Sequence, residues 1–216
     1  MFPFPIATPQ GCNIQTFYSR SATAAGGQRA WNKPTGVSHV YMMLIGPGGS
    51  ASDPNAGGSG AVTVWYGAAQ HVPDSLVIVI GTSGTVNSTT VSARFSNSGT
   101  TPTALLTANR AVADTGGTAM TANQFTASGF FQSVAGQNGG VNTPSATTFL
   151  SGGGSGATNT ANYGYTTTSN GFFQLQPIIV GVGSTNTVSE TKAIGCGAGS
   201  GIDGSGGPGF VLIASW

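Results

Sequence analysis

Side-chain catalysis needs acids, bases or nucleophiles that converge, and this chain has few. It carries two histidines, His39 and His71, and five acids, Asp53, Asp74, Asp114, Glu190 and Asp203. Nothing in their spacing marks a Ser-His-Asp triad or a carboxylate pair. His39 lies inside an apolar run and reads as a packed core or interface residue. Asp53 and Asp203 each sit in a glycine loop. A calcium site would need about six to eight oxygen ligands, and with carboxylates so sparse a turn-forming aspartate is the better reading.

The glycine runs invite a phosphate reading, which their context opposes. Gly204-Ser205-Gly206-Gly207-Pro208-Gly209 fits G-x-G-x-x-G, but the dinucleotide fingerprint needs a strand before it and a helix after it. Here a strand-like run, Phe210–Trp216, follows. Gly-Lys occurs nowhere, which excludes a Walker loop, and no serine sits in G-x-S-x-G. No catalytic residue, metal-ligand set or cofactor site emerges, and a non-enzymatic role is expected.

Two residue classes stay open. Cys12 and Cys196 have no metal spacing; they read either as two free buried thiols or as a bridge between the N-terminal region and the last glycine loop. Trp31, Trp65, Tyr66, Tyr163, Tyr165 and Trp216 have rings that can stack on sugars. Tyr163 and Tyr165, in NTANYGYTTTSNG, are the best candidates for receptor contact, because no apolar periodicity surrounds them; structural packing is the competing reading.

Only 5% of residues are charged, against roughly 25% in ordinary soluble proteins. Ser, Thr, Asn, Gln and backbone amides must therefore wet the surface. A hydrophobic fraction of 38%, with 11 Phe, 5 Tyr and 3 Trp, supplies a core and strand-forming residues rather than disorder. The six basic residues, Arg20, Arg29, Lys33, Arg94, Arg110 and Lys192, are scattered, so neither nucleic acid nor an anionic membrane is an expected partner. No apolar run approaches the ~18 residues of a membrane span. The start, MFPFPIATPQ, lacks a basic n-region, so synthesis in the cytosol without a secretory signal is expected. A net charge of +1 leaves little repulsion between copies and favours oligomers.

The elements that would carry these residues are strands. Residues 1–30 read as an extended N-terminal arm and link, and 31–216 as one all-β domain. Pro3, Pro5 and Pro9 exclude helix. Phe2, Phe4 and Ile6 alternate with the prolines; they cover the domain's own core or dock onto a neighbouring subunit. Val37–Ile45 is apolar on both faces, the pattern of a strand buried on two sides or at an interface. Further strands are expected at 61–66, 76–81, 89–95, 103–106, 127–134, 146–150 and 172–182. The nearest amphipathic helix candidate, 103–114, is interrupted by Thr and Asn.

From Trp31 to Ser50 the sequence reads W-x-x-P-x-G-V-x-x-V-x-M-x-L-I-G-P-G-G-S. It is followed by Gly57-Gly58-Ser59-Gly60-Ala61-Val62, Ile78-Val79-Ile80-Gly81-Thr82-Ser83-Gly84, Thr147-Thr148-Phe149 with Ser151-Gly152-Gly153-Gly154, and Gly206-Gly207-Pro208-Gly209-Phe210-Val211-Leu212-Ile213. This series resembles the glycine-rich domain of bacteriophage tail-fibre and other virion proteins. Residues 31–84 and 195–216 carry the match and the middle follows it loosely. Pro47, Ala51 and Asp53 thin the usual glycine run. The resemblance implies a β-sandwich, jelly-roll-like with long glycine-rich loops, a non-enzymatic virion role and, in fibres, trimers. With no shaft or coiled coil before the domain, a small capsid-associated spike, vertex or decoration subunit is expected, with host-surface attachment, to a glycan for instance, as a second role. A tail-fibre tip adhesin or a carbohydrate-binding module is the alternative. The two glycine clusters, 46–60 and 195–209, are expected to bring Val40–Ile45 and Phe210–Ile213 into one sheet or into facing sheets.

Overall fold

The computed structural model describes residues 11–18, 28–50, 57–82, 87–93, 103–138, 163–166, 169–170, 173–174, 178–182, 195 and 206–216. Their strands are β1 (Asn13–Tyr18), β2 (Gln28–Asn32), β3 (His39–Ile45), β4 (Val62–Ala68), β5 (Ser75–Val79), β6 (Thr89–Ala93) and β7 (Ala104–Ala108). They continue with β8 (Gly129–Val134), β9 (Tyr163–Thr166), β10 (Ser169–Asn170), β11 (Phe173–Gln174), β12 (Ile178–Val182) and β13 (Phe210–Ser215). Short 3-10 turns at Ala69–His71 and Thr126–Ser128 are the helical pieces among the described residues.

Alternation of apolar residues builds two antiparallel sheets that pack as a sandwich. The larger has the order β1-β13-β3-β4-β8 and the smaller β2-β5-β6-β7. Two further pairs, β10-β11 and β12-β9, stand as two-stranded sheets. In β3, Val40, Met42 and Leu44 point inward with Trp65, Val211 and Ile213, against Trp31, Leu76, Ile78, Val91 and Leu106 of the smaller sheet. The opposite face of β3 is apolar too: Tyr41, Met43 and Ile45 are buried with Val62, Val64 and Leu212 in a second cluster. Burial on both faces is what its unbroken apolar run calls for.

The 103–114 stretch holds no helix. It forms β7 and then a tight turn closed by a Val112–Thr115 bridge. The region read as arm and link also contributes ladder strands. β1 pairs with β13 from Asn13↔Ser215 to Tyr18↔Phe210, and Gln28, Arg29 and Ala30 already pair with β5. β1 has strand-favouring Ile14, Thr16, Phe17 and Tyr18 but sits in a stretch marked by prolines and read as an extended arm, and in β2 the Gln28–Ala30 part has no apolar alternation to mark it. Their partners supply the apolar surface.

One side of the sandwich is sealed by the chain between β7 and β8. The Asn123 side-chain amide donates to the Leu105 carbonyl at 3.0 Å, and the Thr107 amide donates to Met120 Sδ at 3.2 Å. Thr63 Oγ1, from the facing sheet, donates to the Thr107 carbonyl at 2.7 Å. The Met120 amide donates to Ser133 Oγ on β8 at 2.8 Å.

Candidate functional site

At one end of the sandwich the glycine loops interlock through their backbones. Gly46 donates to Ala61, Gly48 to Gly207, Gly49 to Gly58 and Gly58 to Ala113, all at 2.8–2.9 Å. Ser59 donates to Gln137, Gly60 to Gly195, Ala61 to Asn109 and Gly117 to Ser59, each at 2.9 Å; Gly136 donates to Gly117 at 2.7 Å. Gly195 in turn donates to Pro208, and Gly209 to Gly81. The loops that frame β3, β4 and β13 thus form one hydrogen-bonded layer, and residues 46–49, 57–60 and 206–209 are buried in it.

Close approach, not unusual dihedrals, is why these positions are glycine. Among the described glycines only Gly11, Gly36 and Gly195 have positive φ, and of these Gly195 alone is bonded into the layer. A Cβ on Gly46 would run into the Asn109 carbonyl, on Gly60 into that of Gly46, and on Gly136 into that of Ser59. On Gly58 it would stand 2.6 Å from the Thr115 carbonyl carbon. Backbones this close leave no room for any side chain.

The layer's chemistry follows from this bonding. A phosphate cradle needs amides aimed at the ligand. Here the amides of Gly46, Gly48, Gly49, Gly58, Ser59, Gly60 and Ala61 are all committed to carbonyls. The layer is a platform of backbone hydrogen bonds rather than a ligand cradle.

The opposite end carries aromatic groups. His39, Tyr66 and Trp216 are half-buried and near-parallel, with interplanar angles of 14–18° and centroids 5.7–6.1 Å apart. Ser38 Oγ lies 2.9 Å from His39 Nδ1 and donates to the Trp216 carbonyl at 3.1 Å. Around the corner is a cleft of about 400 Å³ lined by His71, Leu105, Asn123, Gln124, Phe125 and neighbouring residues. Its Asn123 amide is already spent on Leu105 and its Ser128 hydroxyl on Phe125.

The candidate residues fall in different places. Phe2, Phe4 and Ile6 lie outside the described residues, as do Asp53, Glu190, Asp203, Cys196 and the 146–150 strand. Tyr163 and Tyr165 are two residues apart in β9, opposite Val182 and Ile179 of β12. Trp31 and Trp65 are core side chains, 1% and 0% exposed, and are withdrawn from sugar contact. Cys12 is a free, half-buried thiol packed on the second apolar cluster. Asp74 binds Lys33 Nζ at 2.8 Å, and Asp114 accepts from the neighbouring Thr115 hydroxyl. Among the described residues no three His, Cys, Asp or Glu side chains group to hold a metal ion. The His39–Tyr66–Trp216 grouping was invisible in sequence, since β3, β4 and the residue just after β13 are brought together only by folding. No known protein family, curated protein or solved structure matches the chain.

Proposed function

We propose that this chain is a non-enzymatic structural subunit of a bacteriophage particle, assembling as a homo-oligomer on the particle surface as a small spike, vertex or decoration protein. One observation carries this reading. The two glycine clusters on which the resemblance to virion glycine-rich domains rests are joined in one layer, through Gly48–Gly207 and Gly60–Gly195. A platform built from backbone–backbone bonds, with 5% charged residues, suits a part that holds shape and position rather than one that moves protons. Sedimentation of the purified chain tests it. An oligomer at micromolar concentration is expected, with a trimer as the form the resemblance favours; a stable monomer would count heavily against assembly.

Host-surface attachment is the second role, with Tyr163 and Tyr165 as the receptor contacts. Their position in one strand, β9, is what keeps this reading open. Binding on a glycan array that disappears in the Tyr163→Ala plus Tyr165→Ala variant is the expected result. Silence on the array, or binding unchanged by the substitutions, would remove it.

A further inference from the structure

Sheet edges are ready-made pairing sites unless a protein blocks them. Among the described residues, two of the four edges of the two large sheets carry such a block and a third is covered at one end. On β7, Leu105 and Thr107 have their outward groups occupied by Asn123, Met120 and Thr63. At the far end of β8 the crossing chain lies alongside, Met120 bonding the Ser133 hydroxyl and Gly136 donating to Gly117, while Phe130 at the near end is 60% exposed. On β2, Arg29 occupies the core-side register position opposite Ile78 yet is exposed, which places a charge at that edge. Among the described residues the remaining edge, β1, has none of these. Its sequence, NIQTFY, contains no charge and no proline, and its ladder with β13 runs without a bulge. Among the described residues no strand pairs with its outer side.

β1 also exposes apolar surface in a specific pattern. Ile14 and Tyr18 are each 48% exposed, and both lie on the sheet face of Ala214 and Phe210, their ladder partners. Paired residues of antiparallel strands share a face. If β1 met its own copy with Thr16 opposite Thr16, Ile14 would stand against the partner's Tyr18, and Tyr18 against the partner's Ile14. Centring on Gln15 sets Ile14 against Thr16, and centring on Phe17 sets Tyr18 against Thr16, so neither pairs the two apolar side chains with each other.

We propose that β1 is the contact through which two copies of this chain join, pairing antiparallel about a two-fold axis at Thr16. The proposal deepens the reading of the chain as a self-assembling particle subunit and rests on it. The contact is isologous and merges the two larger sheets into one. It sends the two glycine layers to opposite poles of the pair. A closed two-fold contact makes pairs and even-numbered assemblies, so it departs from the trimer that the resemblance favours.

A charge-pairing experiment on the full chain tests the register. In the Ile14→Lys plus Tyr18→Lys variant, two lysines oppose two lysines, and the dissociation constant should rise by about tenfold or more. In the Ile14→Lys plus Tyr18→Glu variant each lysine faces a glutamate, and association should stay within a few-fold of the native chain. Unchanged thermal unfolding of dissociated samples would establish that both variants fold. Equal association of all three chains would overturn edge pairing while leaving the oligomer reading intact. Equal loss in both variants would overturn the Thr16 register, and a monomeric native chain would overturn both the contact and the oligomer reading.

Discussion

The Gly48 amide donates to the Gly207 carbonyl at 2.9 Å, which ties the loop after β3 to the loop before β13. The strands attached to those loops pair directly, from Phe210↔Ile45 to Ser215↔Val40. Loop bonding and strand pairing therefore fix each other: a slip in the ladder would break the glycine layer, and the layer holds the ladder in register.

Because contact rather than dihedral freedom selects glycine here, Gly136→Ala and Gly60→Ala should each cost about 3 kcal/mol or more. Gly36 provides the contrast. It has a φ of 82° with nothing within 4 Å of a new Cβ, so Gly36→Ala should cost only about 1 kcal/mol, the conformational penalty. Urea unfolding of the three variants checks the ordering. Equal costs would mean that the layer yields to a methyl group.

Ala113 presents the opposite case. It holds a φ of 50°, the positive value among described non-glycine residues, at the turn whose carbonyl accepts from Gly58. Ala113→Gly removes the Cβ strain at some cost in unfolded-chain entropy, so stability should be unchanged or rise by up to about 1 kcal/mol. A midpoint shift in denaturant reports it, and a clear loss would contradict the assignment of strain.

Lys33 Nζ donates to the carbonyls of Ala69 at 3.2 Å and Val72 at 2.8 Å, as well as to Asp74. The Asp74 side chain is 94% exposed and that of Lys33 only 19%. Exposed pairs contribute little, so Asp74→Asn should cost less than about 0.5 kcal/mol. Lys33→Met strips two carbonyls of their donor and should cost about 1–3 kcal/mol. Thermal unfolding of both distinguishes the roles; equal losses would make the ion pair, not the carbonyl clamp, the stabilising element.

Trp65 fits its slot because the ladder pair Gly67 and Gly129 presents no side chains. A Cβ on Gly67 would stand 2.5 Å from the indole, and one on Gly129 2.9 Å. Phe125 closes the slot with its ring centroid 4.7 Å from that of Trp65. Gly129→Ala should displace the indole, shift tryptophan emission and cost about 1–3 kcal/mol. Native emission with native stability would contradict the slot.

The strands with strong apolar patterns were legible from the chain alone. Val40–Ile45 and Phe210–Ile213 announce themselves by residue type, and the matching glycine clusters beside them pointed to their pairing. β1 and β2 did not: β1 follows a proline-marked stretch that read only as an extended arm, and Gln28–Ala30 become strand through the ladder with β5. The candidate site divides the same way. Glycine content marked the layer, but its committed amides come from backbone pairs far apart in sequence. Met120 as a cap for β7 has no local signature, since a thioether accepting from Thr107 depends wholly on where the crossing segment lies.

The central claim is a place on a phage particle. Particles produced by cells that express this chain should be purified on a density gradient, then imaged by cryo-electron microscopy with and without an antibody fragment raised against it. The account predicts that the chain co-purifies with intact particles and that antibody density appears at regular exterior positions. Intact particles without the chain, with all of it remaining in the soluble fraction, would contradict it.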